Sequence, residues 1–191
     1  MNVLLVHGFW DTGKTFRRLE CRLAAAGHTC WAPTLYPRDG RLGITDLARK
    51  LSEYVAKNLP VNLPFAVVGF SMGCLVARCY LQQLQPDRPA RAFFAISGPF
   101  RGTLTAWLYP SQGARDMRPG SEFLRQLDAT ADTLWEIPVY TYYTPRDLMI
   151  IPAASSRLPL ATELMVWSPL HRWMLASEKI SSDILDRLKG L

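Results

Sequence analysis

The sequence has no apolar run long enough to cross a bilayer. The longest, from Phe65 to Ala77, contains Ser71 and stops at Arg78, short of the roughly 18 residues a span needs. Charged residues are scarce at 20%, whereas apolar ones reach 49%. That balance excludes a disordered chain, and no repeat supports a collagen-like or coiled-coil one. Only four cysteines and three histidines occur, and no C-x-x-C pair is among them, so zinc is not expected. Cys21, Cys30, Cys74 and Cys79 read instead as buried free thiols in a reducing cytoplasm. A basic leader with a small-residue cleavage site is lacking, so a cytoplasmic location is expected.

Acidic residues number 16 against 22 basic ones, for a net charge of +6. The basic residues are single arginines scattered along the chain, not interleaved with aromatics. Nucleic acid is therefore not an expected partner. The charge fits peripheral contact with an anionic membrane surface, and no obligate protein partner is indicated. At 191 residues the chain reads as one domain, 1–191, that buries a sizeable core without staples.

Short apolar runs alternate with helical patterns. Val3 to Val6, Thr29 to Ala32, Phe65 to Phe70, Ala92 to Ile96, Val139 to Tyr143 and Leu164 to Trp167 read as strands. Helices are expected from Thr15 to Ala26, from a cap at Thr45 or Asp46 to about Asn58, and from Met72 to Gln85. Two more run from a Ser121 cap to about Leu127 and from Ser177 to Leu188. Leu47, Leu51 and Val55 mark the buried face of the second. Fully apolar strands separated by helices predict an α/β fold with a single doubly wound, mainly parallel sheet of about six strands. The long irregular stretch is Ser97 to Gly120, where a ligand site is expected.

Two motifs compete. Gly8-Phe9-Trp10-Asp11-Thr12-Gly13-Lys14-Thr15 fits the phosphate-cradling pattern G-x-x-x-x-G-K-[ST]. Gly69-Phe70-Ser71-Met72-Gly73 fits the nucleophile elbow G-x-S-x-G. Chance alone yields the elbow in about a few per cent of such chains and the phosphate loop in under about 1%. Companions decide between them. A phosphate-loop enzyme needs an acid at the end of another apolar strand to hold magnesium, and neither Phe65–Phe70 nor Ala92–Ile96 ends in one. The bulky Phe9-Trp10 pair is also awkward in a loop that must wrap phosphate.

The elbow has its companions. An acid and a histidine must follow the serine in that order. His171 is the one histidine that follows Ser71. Asp147, four residues beyond an aromatic strand, is the best-placed acid, with Asp132 in reserve. A serine hydroxyl attacks only when a base takes its proton, which is the role of His171. Asp147 holds the imidazole in the right tautomer and stabilises its charged form. Gly69 and Gly73 are needed because side chains there would collide with backbone. The developing oxyanion needs two donors, expected to be the backbone N–H groups of Met72 and Phe9.

His7-Gly8-Phe9, the elbow, the stretch Thr144 to Pro152 and the segment around His171 resemble the small bacterial lipases and esterases of the α/β-hydrolase fold. Ile96 to Thr103 also resembles the loop that follows the strand beyond the elbow in that family. The likeness runs almost end to end. It implies ester hydrolysis without metal or cofactor, and it implies the triad and oxyanion donors just named. Cys74 stands where the family often has a further glycine. Ser168-Pro169-Leu170 precedes the histidine in place of a glycine-rich turn. The antiparallel strands of larger relatives are not expected.

Phe9, Trp10, Leu104 and Trp107 are candidates for an acyl pocket, with Leu108 and Tyr109 beside them. His7 is expected to shape the oxyanion loop, and Arg101, Arg115 and Arg118 to face water. Ser97 to Gly120 is too short for a large helical lid, so an open site acting on a small-molecule or lipid ester is expected. Short to medium acyl chains would be easiest. Three rival readings stay open: a thioesterase or other acyl hydrolase with the same triad, a non-catalytic binding protein on the hydrolase fold, and a nucleotide binder through Gly8–Thr15.

Overall fold

A computed structural model describes residues 1–60, 63–84, 90–159 and 161–191. Six strands form one sheet: β1 (Asn2–Val6), β2 (Thr29–Trp31), β3 (Phe65–Phe70), β4 (Ala92–Ile96), β5 (Val139–Tyr143) and β6 (Thr162–Met165). Their order is β2-β1-β3-β4-β5-β6 and every neighbouring pair is parallel. The helices are α1 (Arg17–Ala25), α2 (Ile44–Asn58), α3 (Met72–Cys79), α4 (Gln112–Asp116), α5 (Glu122–Ala129) and α6 (Glu178–Leu188).

The period of two along each strand sends alternate side chains to opposite faces. On β1, Leu4 and Val6 join the core beneath α2, α3 and α5, whereas Val3 and Leu5 face α1 and α6. On β3, Val67 serves the first face and Ala66, Val68 and Phe70 the second. Both faces are covered, so β1, β3 and β4 are buried along their whole length. The edge strands are wetter: Thr29 on β2 and Thr162 on β6 are exposed. A strand with one neighbour and partial cover does not need an apolar run.

The strand order turns around at β1, with β2 on one side and β3 on the other. The chain leaving β1 leads to α1 on one face, and the chain leaving β3 leads to α3 on the opposite face. Their connections diverge at the carboxyl edge, the usual ligand position of such sheets.

Several local expectations change. Helix α2 begins at Ile44 after Gly43 (φ 93°), one turn-residue before Thr45 and Asp46. Its cap comes from far along the chain, because Asp116 Oδ2 accepts the Ile44 N–H at 2.8 Å. Asp46 instead pairs with Lys50. The first helical stretch opens with a 3₁₀ turn, Gly13–Phe16, before α1. Helix α3 passes at Cys79 into a π-helical turn, Tyr80–Leu84, and Gln85 lies outside the described residues. Strand β6 sits two residues earlier than expected. Its ladder runs from Tyr140–Thr162 to Tyr143–Met165, and β5 offers no partner beyond Tyr143. The stretch Ser97 to Gly120 holds a 3₁₀ turn (Leu104–Leu108) and α4. Ser121 caps α5 as expected, and Ser177, expected inside the last helix, is instead the cap of α6. Among the thiols, Cys74 and Cys79 are buried but Cys21 is exposed, since it lies on the outer face of α1.

Candidate active site

Ser71 stands between β3 and α3 with φ 54° and ψ −126°, a conformation costly for any residue but glycine. Its neighbours explain how it is held. The Ser71 N–H donates to Ile96 O at 2.9 Å, and Ser71 O accepts the Cys74 N–H at 3.0 Å. A side chain at Gly69 would meet the Cys74 backbone at 2.7 Å, and one at Gly73 would collide with the carbonyls of Val6 and His7. Both glycines are therefore required by close approach of backbone.

Cys74 fits its place because Gly98 lies opposite. A Cβ at Gly98 would stand 2.6 Å from the Cys74 Cβ. The thiol is buried, points at Ile96 O, and burial pushes its pKa far up. It is a packing residue.

The loop after β1 closes over the elbow. A Cβ at Gly8 would lie 3.0 Å from the Ser71 Cβ. His7 is buried and bonded at both ring nitrogens: Nδ1–H donates to Gly8 O at 2.9 Å, and Nε2 accepts the Leu35 N–H at 2.8 Å. That fixes the Nδ1–H tautomer, and burial lowers the His7 pKa. The ring ties the Gly8–Phe9 turn to the chain after β2. Phe9 stacks on Trp10 at 5.4 Å, and both meet the edge of Tyr109. Among the described residues, neither the Phe9 nor the Met72 N–H has a hydrogen-bond partner. Met72 opens α3, so its N–H sits at the positive end of the helix dipole.

Five of the amides in Gly8–Thr15 are already used. Trp10 N–H donates to Arg38 O, Asp11 N–H to Gly8 O and Thr15 N–H to Thr12 O. Thr12 N–H goes to Asp11 Oδ1 and Gly13 N–H to Thr34 Oγ1. Gly8–Thr15 is thus bonded to itself and to the chain after β2, and it leads into a 3₁₀ turn with most of its amides already committed, unlike a phosphate cradle.

Asp147 and His171 meet across two connections at the carboxyl edge. His171 Nδ1–H donates to Asp147 Oδ2 at 2.8 Å, and both side chains are buried. Asp147 Oδ1 accepts the N–H groups of Met149 and Ile150 at 2.9 and 3.0 Å. Burial by itself would raise the Asp147 pKa. The bonds from His171 and the two amides outweigh it and hold the carboxyl below its ordinary value. The His171 ring packs 4.8 Å from the ring of Phe70, the residue before Ser71. Its Nε2 is buried without a partner among the described residues, so no bond to the Ser71 hydroxyl is formed here. Such bonds are often open before substrate arrives. The reserve acid Asp132 lies in a 3₁₀ turn ahead of β5, at the opposite edge of the sheet.

Two residues that position this pair were given no role by the sequence. Thr144 and Ser168, both buried, exchange hydrogen bonds: Thr144 Oγ1–H to Ser168 O at 3.0 Å and Ser168 N–H to Thr144 Oγ1 at 3.3 Å. They clamp the chain carrying Asp147 to the chain carrying His171. Ser168 Oγ then bonds Leu170 O, shaping the turn without a glycine. Thr103 works similarly, since its hydroxyl donates to Met149 O and accepts the Ile151 N–H. Polar side chains in apolar surroundings at strand ends were the available signal. Of the pocket candidates, Phe9 and Trp10 join the aromatic cluster beside the elbow. Leu104 and Trp107 are 53% and 61% exposed, and Trp107 lies under the Arg118 guanidinium at 4.2 Å. Arg118 is thereby half-buried, whereas Arg101 and Arg115 face water.

Known proteins agree with this architecture. No curated protein sequence matches the chain. Among solved structures, Aspergillus fumigatus lipase B superposes with a TM-score of 0.80 at 17% identity, over 98% of this chain and 52% of that one. Bacillus licheniformis lipase BlEst2 gives 0.74 at 14% identity, over 98% and 91%. An extracellular alpha/beta-hydrolase from a Paenibacillus species gives 0.64 at 18%, over 97% of both. At these identities the likeness is one of fold. The profile of the alpha/beta hydrolase family matches residues 3–183, nearly the full chain, and the protein belongs to that family.

Proposed function

We propose that the protein is a serine hydrolase that cleaves carboxylic esters through an acyl-enzyme, with Ser71, His171 and Asp147 as its triad. The observation that carries this reading is the buried Asp147–His171 bond beside the strained Ser71 elbow. With Nδ1–H committed to the carboxylate, a neutral His171 has Nε2 as its basic nitrogen. That nitrogen takes the Ser71 proton as Oγ attacks the ester carbonyl. The oxyanion of the tetrahedral intermediate accepts hydrogen bonds from the Phe9 and Met72 N–H groups. Collapse breaks the bond to the alkoxy oxygen, which leaves as the alcohol with the proton from His171. Water, deprotonated by the same nitrogen, then releases the acid and restores Ser71. Every step uses side chains and amides of the chain itself. The names of the similar lipases point the same way. So does that of a polyneuridine aldehyde esterase with a TM-score of 0.69.

The test is hydrolysis of p-nitrophenyl esters from acetate to palmitate by the parent and by Ser71→Ala. Turnover that peaks at one chain length and disappears in the variant is expected. Turnover that survives in the variant, or none from folded parent protein, overturns the reading.

A further inference from the structure

Large apolar residues that face water are concentrated at one end of the molecule. Among the described residues sixteen are exposed, and twelve of these lie in connections that leave the carboxyl ends of strands. In a wholly parallel sheet those connections share one edge. Trp10 follows β1, Trp107 and Leu108 follow β4, Leu148 follows β5, and Trp167 and Trp173 follow β6. Ser71 and His171 follow the carboxyl ends of β3 and β6 at the same edge. Leu108 is 77% exposed and Leu148 69%. Exposed apolar side chains gathered at one edge are the mark of an interaction site.

The exposed charges on the same edge that lack an ion-pair partner among the described residues include arginines. Arg38, Arg115 and Arg146 are exposed, and none forms an ion pair among the described residues. Of the acids in these connections, Asp116 and Asp147 are buried, while Asp11 and Asp39 already pair with Arg172 and Arg41. Arg118 lies over Trp107 and Arg146 over Trp167. Indole and guanidinium side by side suit the boundary between acyl chains and anionic headgroups. Among the described residues no helix is long and apolar enough to cross a membrane, so contact would be from one side.

We propose that this rim docks on the surface of an anionic phospholipid bilayer, with the tryptophans and leucines entering the headgroup boundary and the free arginines meeting the phosphates. The edge of the sheet that carries Ser71 and His171 then faces the lipid. Docking of this kind needs no turnover, so it stands apart from the proposed ester hydrolysis.

The experiment is co-sedimentation with vesicles of phosphatidylcholine alone and of phosphatidylcholine with phosphatidylglycerol. Binding at least about fivefold stronger on the anionic vesicles is expected, weakening as salt is added. The double variant Leu108→Glu/Trp173→Glu should lose about tenfold or more. Leu63→Ala, at a residue about as exposed as Trp173 but preceding β3 at the far edge, should bind like the parent, as should Ser71→Ala. Circular dichroism and Tm establish that each variant is folded. Absence of binding, equal binding to both vesicles, or undiminished binding by the double variant overturns the proposal. Concentration-dependent dimers that the double variant abolishes, without vesicle binding, would assign the rim to a second copy and overturn it as well.

Discussion

Thr144 and Ser168 hold each other by two hydrogen bonds, hydroxyl to carbonyl at 3.0 Å and amide to hydroxyl at 3.3 Å. The first lies three residues before Asp147 and the second three before His171. This contact sets the separation of the acid and the base from below. Thr144→Val keeps the shape and removes both bonds, leaving the buried Ser168 amide and carbonyl without these partners. A stability loss of about 1–3 kcal/mol is expected. Slackening of the Asp147–His171 geometry should lower kcat about tenfold to a hundredfold with KM little changed. Thr144→Ser retains the hydroxyl and should restore most of kcat. Steady-state kinetics and thermal melts of the two variants check this.

Asp147→Asn keeps the size of the side chain but makes its group neutral. Loss of the carboxylate frees His171 to take the wrong tautomer, and kcat should fall about 10⁴-fold. The variant also changes the acid limb of stability. The folded carboxyl titrates below its ordinary value of 3.8. In the window between the folded and unfolded values the unfolded chain binds more protons, so stability rises with pH there. The contribution of Asp147 is therefore complete above about pH 4 and fades as pH falls through the folded value. Urea melts from pH 2 to pH 6 should show a steeper acid loss in the parent than in Asp147→Asn. Identical slopes would refute this linkage.

Gly98 and Cys74 occupy one another's space. A methyl at Gly98 would stand 2.6 Å from the Cys74 Cβ and 2.9 Å from Phe100 Cζ. Gly98→Ala should cost about 1–3 kcal/mol by overpacking. Cys74→Gly alone should cost about 1 kcal/mol, the price of glycine inside α3. Together they should be less damaging than their sum by about 0.5–3 kcal/mol, because the second change removes the atom the first collides with. Additive losses in denaturant melts would show that Phe100, not Cys74, limits the site.

The strand runs and the alternation of strands with helices determined the parallel α/β sheet, because residues buried on both faces must be apolar and that pattern is local. The elbow was equally local, since Gly69, Ser71 and Gly73 meet their steric demands within one turn. Chain order singled out His171, the one histidine after the serine, and Asp147, beyond an aromatic strand, and the structure brings these two into a hydrogen bond. Other features depended on partners far away in the chain. The cap of α2 is Asp116, some seventy positions from Ile44, and no periodicity announces it. The true limits of β6 follow from where β5 stops. Gly8–Thr15 carries every letter of a phosphate loop, yet its amides are taken by Arg38 and Thr34 from the next connection. Thr144 and Ser168 are ordinary residues until the sheet brings the ends of β5 and β6 together. Local steric and burial requirements are written in consecutive residues, whereas hydrogen bonds between connections exist only once the strands have set those connections side by side.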